Sequence, residues 1–274
     1  MNHLNEKRHL LNSLADFFGL TASNASAEAS KDDDGLRNCE TPGLAHSWPS
    51  TKELADKLKE LSINICGGAI TSVFTAQRVN DIDMYLEDPS KLQDAIKYLS
   101  TTLDDKPFFS PNCIGFTRRS KNGRRKWTVQ LITRFTGPPA TIFDDFDFTI
   151  TTGAYSFRLA DFVFGDRFLA DVAARRLVFM GNSHFPICAM YRTKKYQRRG
   201  YTLSGATIMH ISLSIVRLKI ETYKQLKEQL LGIDTIFLQH LLSQDHFDEN
   251  LPVDYGRFIA DALDFMSVHV EADE

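Results

Sequence analysis

No run of 18 consecutive apolar residues occurs in this 274-residue chain, so no membrane-spanning helix is expected. The first twenty residues, MNHLNEKRHLLNSLADFFGL, have neither a long apolar core nor a small-residue cleavage site. They read as an amphipathic helix rather than a signal peptide. The four cysteines, Cys39, Cys66, Cys113 and Cys188, lie far apart without CxxC spacing. That argues against a zinc site and for reduced thiols in a cytoplasmic setting. The eight histidines form no His-x-x-His or His-Glu pattern, so His184, His210 and His240 read as packing or surface residues. Charge of one sign is also lacking. At a net charge of −3, contact with nucleic acid has to come from local basic patches.

What is present is an ordinary globular composition, 43% hydrophobic and 24% charged, on a chain long enough for a well-buried core. Leu4, Leu10, Leu11, Leu14, Phe17 and Phe18 recur at helical spacing, which predicts an N-terminal helix over 1–20. Residues 21–48 are small, polar and acidic and predict a flexible linker. Residues 49–160 then read as a mixed α/β head. A helix over STKELADKLKELSI precedes a strand at INIC, and Gly67-Gly68 leads a helix ending near Val79. A strand at DIDMYLED, a helix from Pro89 or Ser90, and a hairpin turning at Asn122-Gly123 follow. A short helix at PPATIFDD and a strand at FDFTIT close the head. Residues 161–274 read as an all-helical part, giving an α+β chain.

Strand side chains alternate faces, so Asp81 and Asp83 point the same way while Ile82 points into the core. Asp-x-Asp alone is usually a solvated strand end. Two adjacent carboxylates on one face nevertheless repel, and a divalent cation is the common remedy. Asp147, on the expected later strand, could add a third carboxylate, a set that suits a two-metal centre. Gly67-Gly68, between strand and helix, allows close backbone approach and offers N–H groups to phosphate.

The whole order resembles the DNA polymerase β-like nucleotidyltransferase superfamily, nearest the head of the bacterial poly(A) polymerases and CCA-adding (tRNA nucleotidyltransferase) enzymes. The resemblance rests on Gly-Gly followed by Asp81-Ile82-Asp83, on DFTITTGAY at 147–155, and on PICAMYRTKKYQRRGYTL at 186–203. It covers residues 63–205. The chain departs from the pattern at Thr71-Ser72 and Asp145-Phe146, where the family has Arg-Asp and Arg-Arg, and at Cys188 and Tyr191. It also lacks a nucleotide-selecting Glu-Asp-x-x-Arg motif. These departures fit a divergent solo member, of the kind that viruses or mobile elements carry.

The resemblance implies a nucleotidyl-fold head and transfer of a nucleotide from an NTP to an acceptor hydroxyl, with two Mg2+ or Mn2+ ions. Asp81 and Asp83 would hold both ions, and Asp147 the one that activates the acceptor. Gly67, Gly68 and Ser72 would contact the triphosphate, although a helical serine more often bonds back to its own helix. The helix at 186–203 would face nucleotide and primer, with Lys194 and Arg198 on one side. Two basic clusters suggest RNA as the acceptor. RRSKNGRRK at 118–126 holds six cations, among them Arg124 and Arg125, and reads either as a solvated hairpin tip or as a phosphate grip. RTKKYQRRGY at 192–201 holds five, with Lys195 and Arg199 beside Tyr196 and Tyr201. Cations with aromatics can both screen phosphate and stack bases. The lead expectation is therefore addition of nucleotides to an RNA 3′ end. The runner-up is a toxin or modifying enzyme that transfers a nucleotide monophosphate to a protein or small-molecule hydroxyl. A binding module without activity is a third reading, which the intact carboxylates oppose.

Overall fold

A computed structural model describes residues 5–10, 51–79, 81–103, 107–119, 126–230 and 248–261. Of the expected N-terminal helix, residues 5–10 are helical, with Leu10 fully buried and Lys7 Nζ donating to Ala160 O at 2.6 Å. The expected linker at 21–48, His240, and the hairpin tip with Arg124 and Arg125 lie outside the described residues. The chain divides into two compact bodies, Met1–Asp144 with Ile150–Val172, and Asp145–Thr149 with Ala173–Glu274.

The first body is built on alternation. In chain order it contains α1 (Thr51–Glu60), β1 (Ile63–Cys66), α2 (Gly68–Phe74), β2 (Asp81–Leu86), α3 (Leu92–Leu103), β3 (Phe108–Phe109), β4 (Cys113–Arg119), β5 (Lys126–Ile132), α4 (Pro139–Phe143), β6 (Gly153–Ser156), β7 (Asp161–Phe164) and α5 (Phe168–Ala173). The strands form one mixed sheet in the order β3-β4-β5-β2-β1-β6-β7, in which only β2 and β5 run parallel. A parallel pair needs a crossover, and α3 with β4 supplies it. Asp88 caps the entry to α3 by accepting from Ser90 N at 2.9 Å, with Pro89 next to it.

Register sorts the side chains into two faces. Ile65, Met84, Leu131 and Ile114 stand on one rung, and Ile82, Val129 and Phe116 on the next. All seven are buried, on the face that α1, α2 and α3 cover. The opposite face carries Cys66, Asp83, Gln130 and Gly115 on one rung and Asp81, Thr128 and Thr117 on another. An aromatic cluster fixes α2. Phe74 meets Phe162, Phe164 and Phe168 edge-on at 5.1, 5.1 and 5.8 Å, geometry that aromatic quadrupoles favour.

The described residues of the second body are mainly helical, with a short parallel pair, β8 (Arg176–Leu177) and β9 (Thr202–Leu203). Its helices include α6 (Pro186–Arg198), α7 (Gly205–Arg217) and α8 (Tyr223–Leu230). Pro186 opens α6, and Gly200, at φ +83°, ends it. Tyr201 N donates to Tyr196 O and Gly200 N to Gln197 O, so the free carbonyls of the last turn are satisfied. Cys188, Tyr223, Leu226 and Leu230 form one buried cluster of this body.

Three local expectations are corrected. The helix after Gly67-Gly68 ends at Phe74, not near Val79, because Ala76 turns to φ +52° and Gln77 N bonds back to Ser72 O. FDFTIT is not a strand of the sheet. Asp147 O accepts from Met180 N at 2.9 Å and Thr149 N donates to Val178 O at 3.0 Å, which draws this stretch into the second body. Thr149–Thr151 is a 3-10 turn, and the sheet strand starts at Gly153. The first body also runs past residue 160, since β7 pairs with β6.

Gly153 sits where a Cβ would lie 2.7 Å from the Phe168 ring and 2.9 Å from Ile70 Cγ2. Gly153→Ala is expected to lower stability by about 1–3 kcal/mol through overpacking, read from the urea midpoint. An unchanged midpoint would show that the Phe74–Phe168 cluster gives way freely.

Candidate functional site

β2 lifts its two carboxylates onto the polar face. Asp81 is exposed, Asp83 half-buried and Ile82 between them fully buried, as the alternation requires. Residues two apart on a strand are separated by roughly 7 Å. At that distance two unit charges repel by about 0.6 kcal/mol in water and about 2.4 kcal/mol at an effective dielectric of about 20. The fold bears that easily, yet a bound divalent cation would turn the repulsion into attraction. Beside Asp83 on β1, Cys66 is buried, and burial, together with the charges of Asp83 and Glu87, pushes its thiol well up. Without a bound cation the thiol stays protonated.

The Gly67-Gly68 turn stands at the end of β1. Gly67 N donates to Gly153 O at 2.9 Å, and Gly67 takes φ +84°, which a side chain rarely adopts. Gly68 lies outside that left-handed region, and a Cβ there would meet nothing within 4 Å. Packing therefore does not demand glycine at Gly68, whereas a ligand lying against the backbone would. The N–H groups of Gly68 and Ala69, in the first turn of α2, have no intrahelical carbonyl to serve. Ser72 is buried and its hydroxyl donates to Gly68 O at 2.9 Å, while Thr71 Oγ1 donates to Ile150 O at 2.6 Å. Ser72 thus holds the glycine turn rather than reaching out from it.

Asp147 belongs to the second body. Its Oδ1 accepts from Ser183 Oγ at 2.5 Å and its Oδ2 is paired with Arg192 Nη1. Burial opposes the charge on Arg192, but Asp147 outweighs it and holds the guanidinium protonated. Asp145, its neighbour, meets His184 Nε2 at 3.0 Å. Among the described residues, no group of three or more His, Cys, Asp or Glu could hold a metal ion. What β2 itself brings together is the pair.

Sequence reasoning passed over Arg192. It shares a helix face with Cys188 and Tyr196, both buried, and an arginine on a buried stripe calls for an anion. That spacing was the available signal. Of the expected cationic residues, Lys194, Lys195 and Arg198 are exposed and Arg199 is half-buried. Tyr196 and Tyr201 are not available to stack on bases, which corrects that expectation. Both are buried, they meet edge-on at 5.9 Å, and Tyr196 also meets Phe148 at 5.6 Å. Burial pushes the Tyr196 phenol up to about 12.

A model of the Gabija anti-defense 2 family matches residues 44–175. A protein named Gabija anti-defense 2, from Bacillus phage SPbetaL7, is 32% identical over 200 residues, 73% of this chain and 48% of that protein. The chain thus spans about half the length of the curated relative it matches. Among solved structures, the Thermotoga maritima CCA-adding enzyme complexed with tRNA is similar at a TM-score of 0.47 and 15% identity, over 70% of this chain and 50% of that one. A tRNA-processing enzyme in an apo form gives 0.47 at 17% identity, over 86% and 59%. A tRNA nucleotidyltransferase with a primer tRNA and an incoming ATP analog gives 0.46 at 17%, over 81% and 61%. No helix among the described residues is long and apolar enough to cross a membrane.

Removing Arg192 leaves Asp147, itself only 8% exposed, with Ser183 as its remaining side-chain partner in that pair of contacts. Arg192→Ala is expected to destabilise by about 2 kcal/mol, less than the roughly 3–5 of a fully buried pair, because the Arg192 side chain is 41% exposed. Asp147→Asn in the same background should recover part of the loss. Denaturant melts of the two variants check both statements, and a native midpoint for Arg192→Ala would make the pair ornamental.

Proposed function

We propose that the protein is a divalent-metal-dependent nucleotidyltransferase, and that Asp81, Asp83 and the Gly67-Gly68 turn form its reaction centre. The observation that carries this reading is a pair of same-face carboxylates beside a glycine turn that packing alone does not require. The resemblance of residues 63–205 to the heads of poly(A) polymerases and CCA-adding enzymes points the same way.

The donor set suits Mg2+ or Mn2+, which are commonly held by one or two carboxylates together with substrate phosphates. Asp81 and Asp83 would hold the ion, and when bound it supplies positive charge that polarises the reacting phosphate. The N–H groups of Gly68 and Ala69 would donate to triphosphate oxygens, orienting the nucleotide against the open Gly68 surface. Ser72 supports that turn through Gly68 O. In the transfer, an acceptor hydroxyl oxygen bonds to the α-phosphorus and releases its proton. The bond from that phosphorus to the bridging oxygen breaks, and pyrophosphate leaves with the electron pair. Two carboxylates suffice for one ion, whereas a second ion calls for another anionic ligand. Asp147, expected in that role, is engaged instead by Arg192 and Ser183 within the second body.

For the acceptor, the exposed Lys194, Lys195 and Arg198 on α6 support RNA, with Lys194 and Arg198 also close enough in sequence to share a phosphate or the nucleotide. The similarity to a bacteriophage protein named for anti-defence favours the second reading, in which the acceptor is a hydroxyl on a protein or small molecule of a defence system. On either reading the same two carboxylates are needed.

Incubation with each labelled NTP, Mg2+ or Mn2+, and RNA or host extract should show label on one acceptor class. Asp81→Ala and Asp83→Ala should each abolish transfer while leaving the melting temperature within a few degrees of native. Wild-type turnover in the double variant would dismiss this centre.

On single-stranded RNA the log affinity should fall with log salt by roughly 0.7 per phosphate contact. Changing Lys194 and Arg198 together to Ala should flatten that slope by about one to two units. An unaltered affinity and slope would remove RNA as acceptor and leave the defence-system hydroxyl.

A further inference from the structure

The sheet register places a residue beside the carboxylate pair that no motif marks. β5 lies parallel to β2, with Thr128 opposite Asp81 and Gln130 opposite Asp83. Neighbouring strands stand about 4.8 Å apart and partnered residues share a face. Asp83 is therefore flanked on its two sides by Cys66 and Gln130. The first is a buried neutral thiol. The second is half-buried, on the same rung, with a side chain long enough to pass Asp83 toward whatever Asp83 holds. Beyond it the rung continues to Gly115, which has no side chain and whose would-be Cβ position is filled by the Phe108 ring. Phe108 itself is 45% exposed. Gln130 thus lies between the carboxylates and an aromatic wall.

Packing gives little reason for glutamine at this position. Its strand neighbours Val129 and Leu131 already fill the opposite, covered face. A β-branched residue is the ordinary occupant of a strand site whose side chain has only packing to do. No hydrogen bond joins the Gln130 amide to another described side chain, and the half-buried amide is open to solvent or to a ligand. The charge balance also favours an amide. Two carboxylates match one divalent cation, and a triphosphate brings further negative charge. A neutral N–H donor beside them adds attraction for phosphate oxygen where a third carboxylate would add repulsion.

We infer that Gln130 is a phosphate-binding residue of the Asp81–Asp83 site, its side-chain NH2 donating to a phosphate oxygen of the bound nucleotide. The inference rests on the nucleotidyl-transfer reading of that pair and adds to it a binding residue on β5. Thr128 occupies the equivalent place beside Asp81 and is the secondary candidate on the same strand.

Binding separates this from the reading beneath it. Affinity is measured by calorimetry for Mn2+ alone and for Mn2+ with a non-hydrolysable ATP analogue, on the full chain. Gln130→Leu should leave Mn2+ binding within about twofold of native and weaken the analogue about ten- to a hundredfold, the loss of one hydrogen bond to a charged group. Gln130→Glu puts a carboxylate on the rung. It should tighten Mn2+ alone about tenfold or more, because an added negative charge then faces the same cation, and it should weaken the analogue relative to the metal. Native analogue affinity in Gln130→Leu, with unchanged Mn2+ affinity in Gln130→Glu, overturns the inference. Asp83→Asn is the control. If it too leaves Mn2+ binding native, the metal reading of β2 fails and the inference falls with it. If Asp83→Asn abolishes Mn2+ binding while both Gln130 variants behave as native, only the assignment of Gln130 is wrong.

Discussion

The two faces of the seven-stranded sheet set the terms for everything in the first body. Ile65, Met84, Leu131 and Ile114 form a continuous apolar rung under the helices. Burial of that surface drives the helices onto one side and fixes the register of four strands at once. A slip of one residue would send Ile82 to solvent and Asp83 into the core, so the position of the carboxylates is held by hydrophobic energy rather than by their own interactions. The polar face is what remains after the other has been covered, and it is there that Asp81, Asp83, Thr128 and Gln130 come together.

Charge is handled differently in the two bodies. On β2 the carboxylates stand side by side near solvent, where their repulsion is modest and an incoming cation relieves it. In the second body the buried carboxylate of Asp147 has Arg192 and Ser183 as partners. The same holds within the first body for Asp171, fully buried and gripped by Arg167 at 3.1 and 3.2 Å. Buried carboxylates held this way hold structure together.

Glycine has several distinct duties along the chain. Gly153 makes room for Phe168 and Ile70, and Gly200 ends α6 with a positive φ. Gly67 turns the chain with φ +84°. Gly68 answers to neither need, since its backbone is ordinary and its surroundings are open.

By itself the sequence determined what local rules govern. INIC, the glycine turn, the alternation in DIDMYL, the capped helix after Asp88 and the antiparallel pair at 113–119 and 126–132 all appear where local pattern puts them. Same-face carboxylates follow from the two-residue period of a strand, which needs no knowledge of the rest of the chain. Tertiary structure alone decided the rest. FDFTIT has the pattern of a strand, but Asp147 and Thr149 bond to Met180 and Val178, roughly thirty residues on, and that competition for backbone groups is invisible locally. The partnership of Asp147 with Arg192 spans 45 residues. The placing of Gln130 beside Asp83 depends on a parallel pairing across a crossover, whose register is set by the apolar rung on the opposite face. Local pattern fixes which way a side chain points along its own strand. Only packing fixes which strand lies next to it, because that choice is made by surface buried between segments distant in the chain.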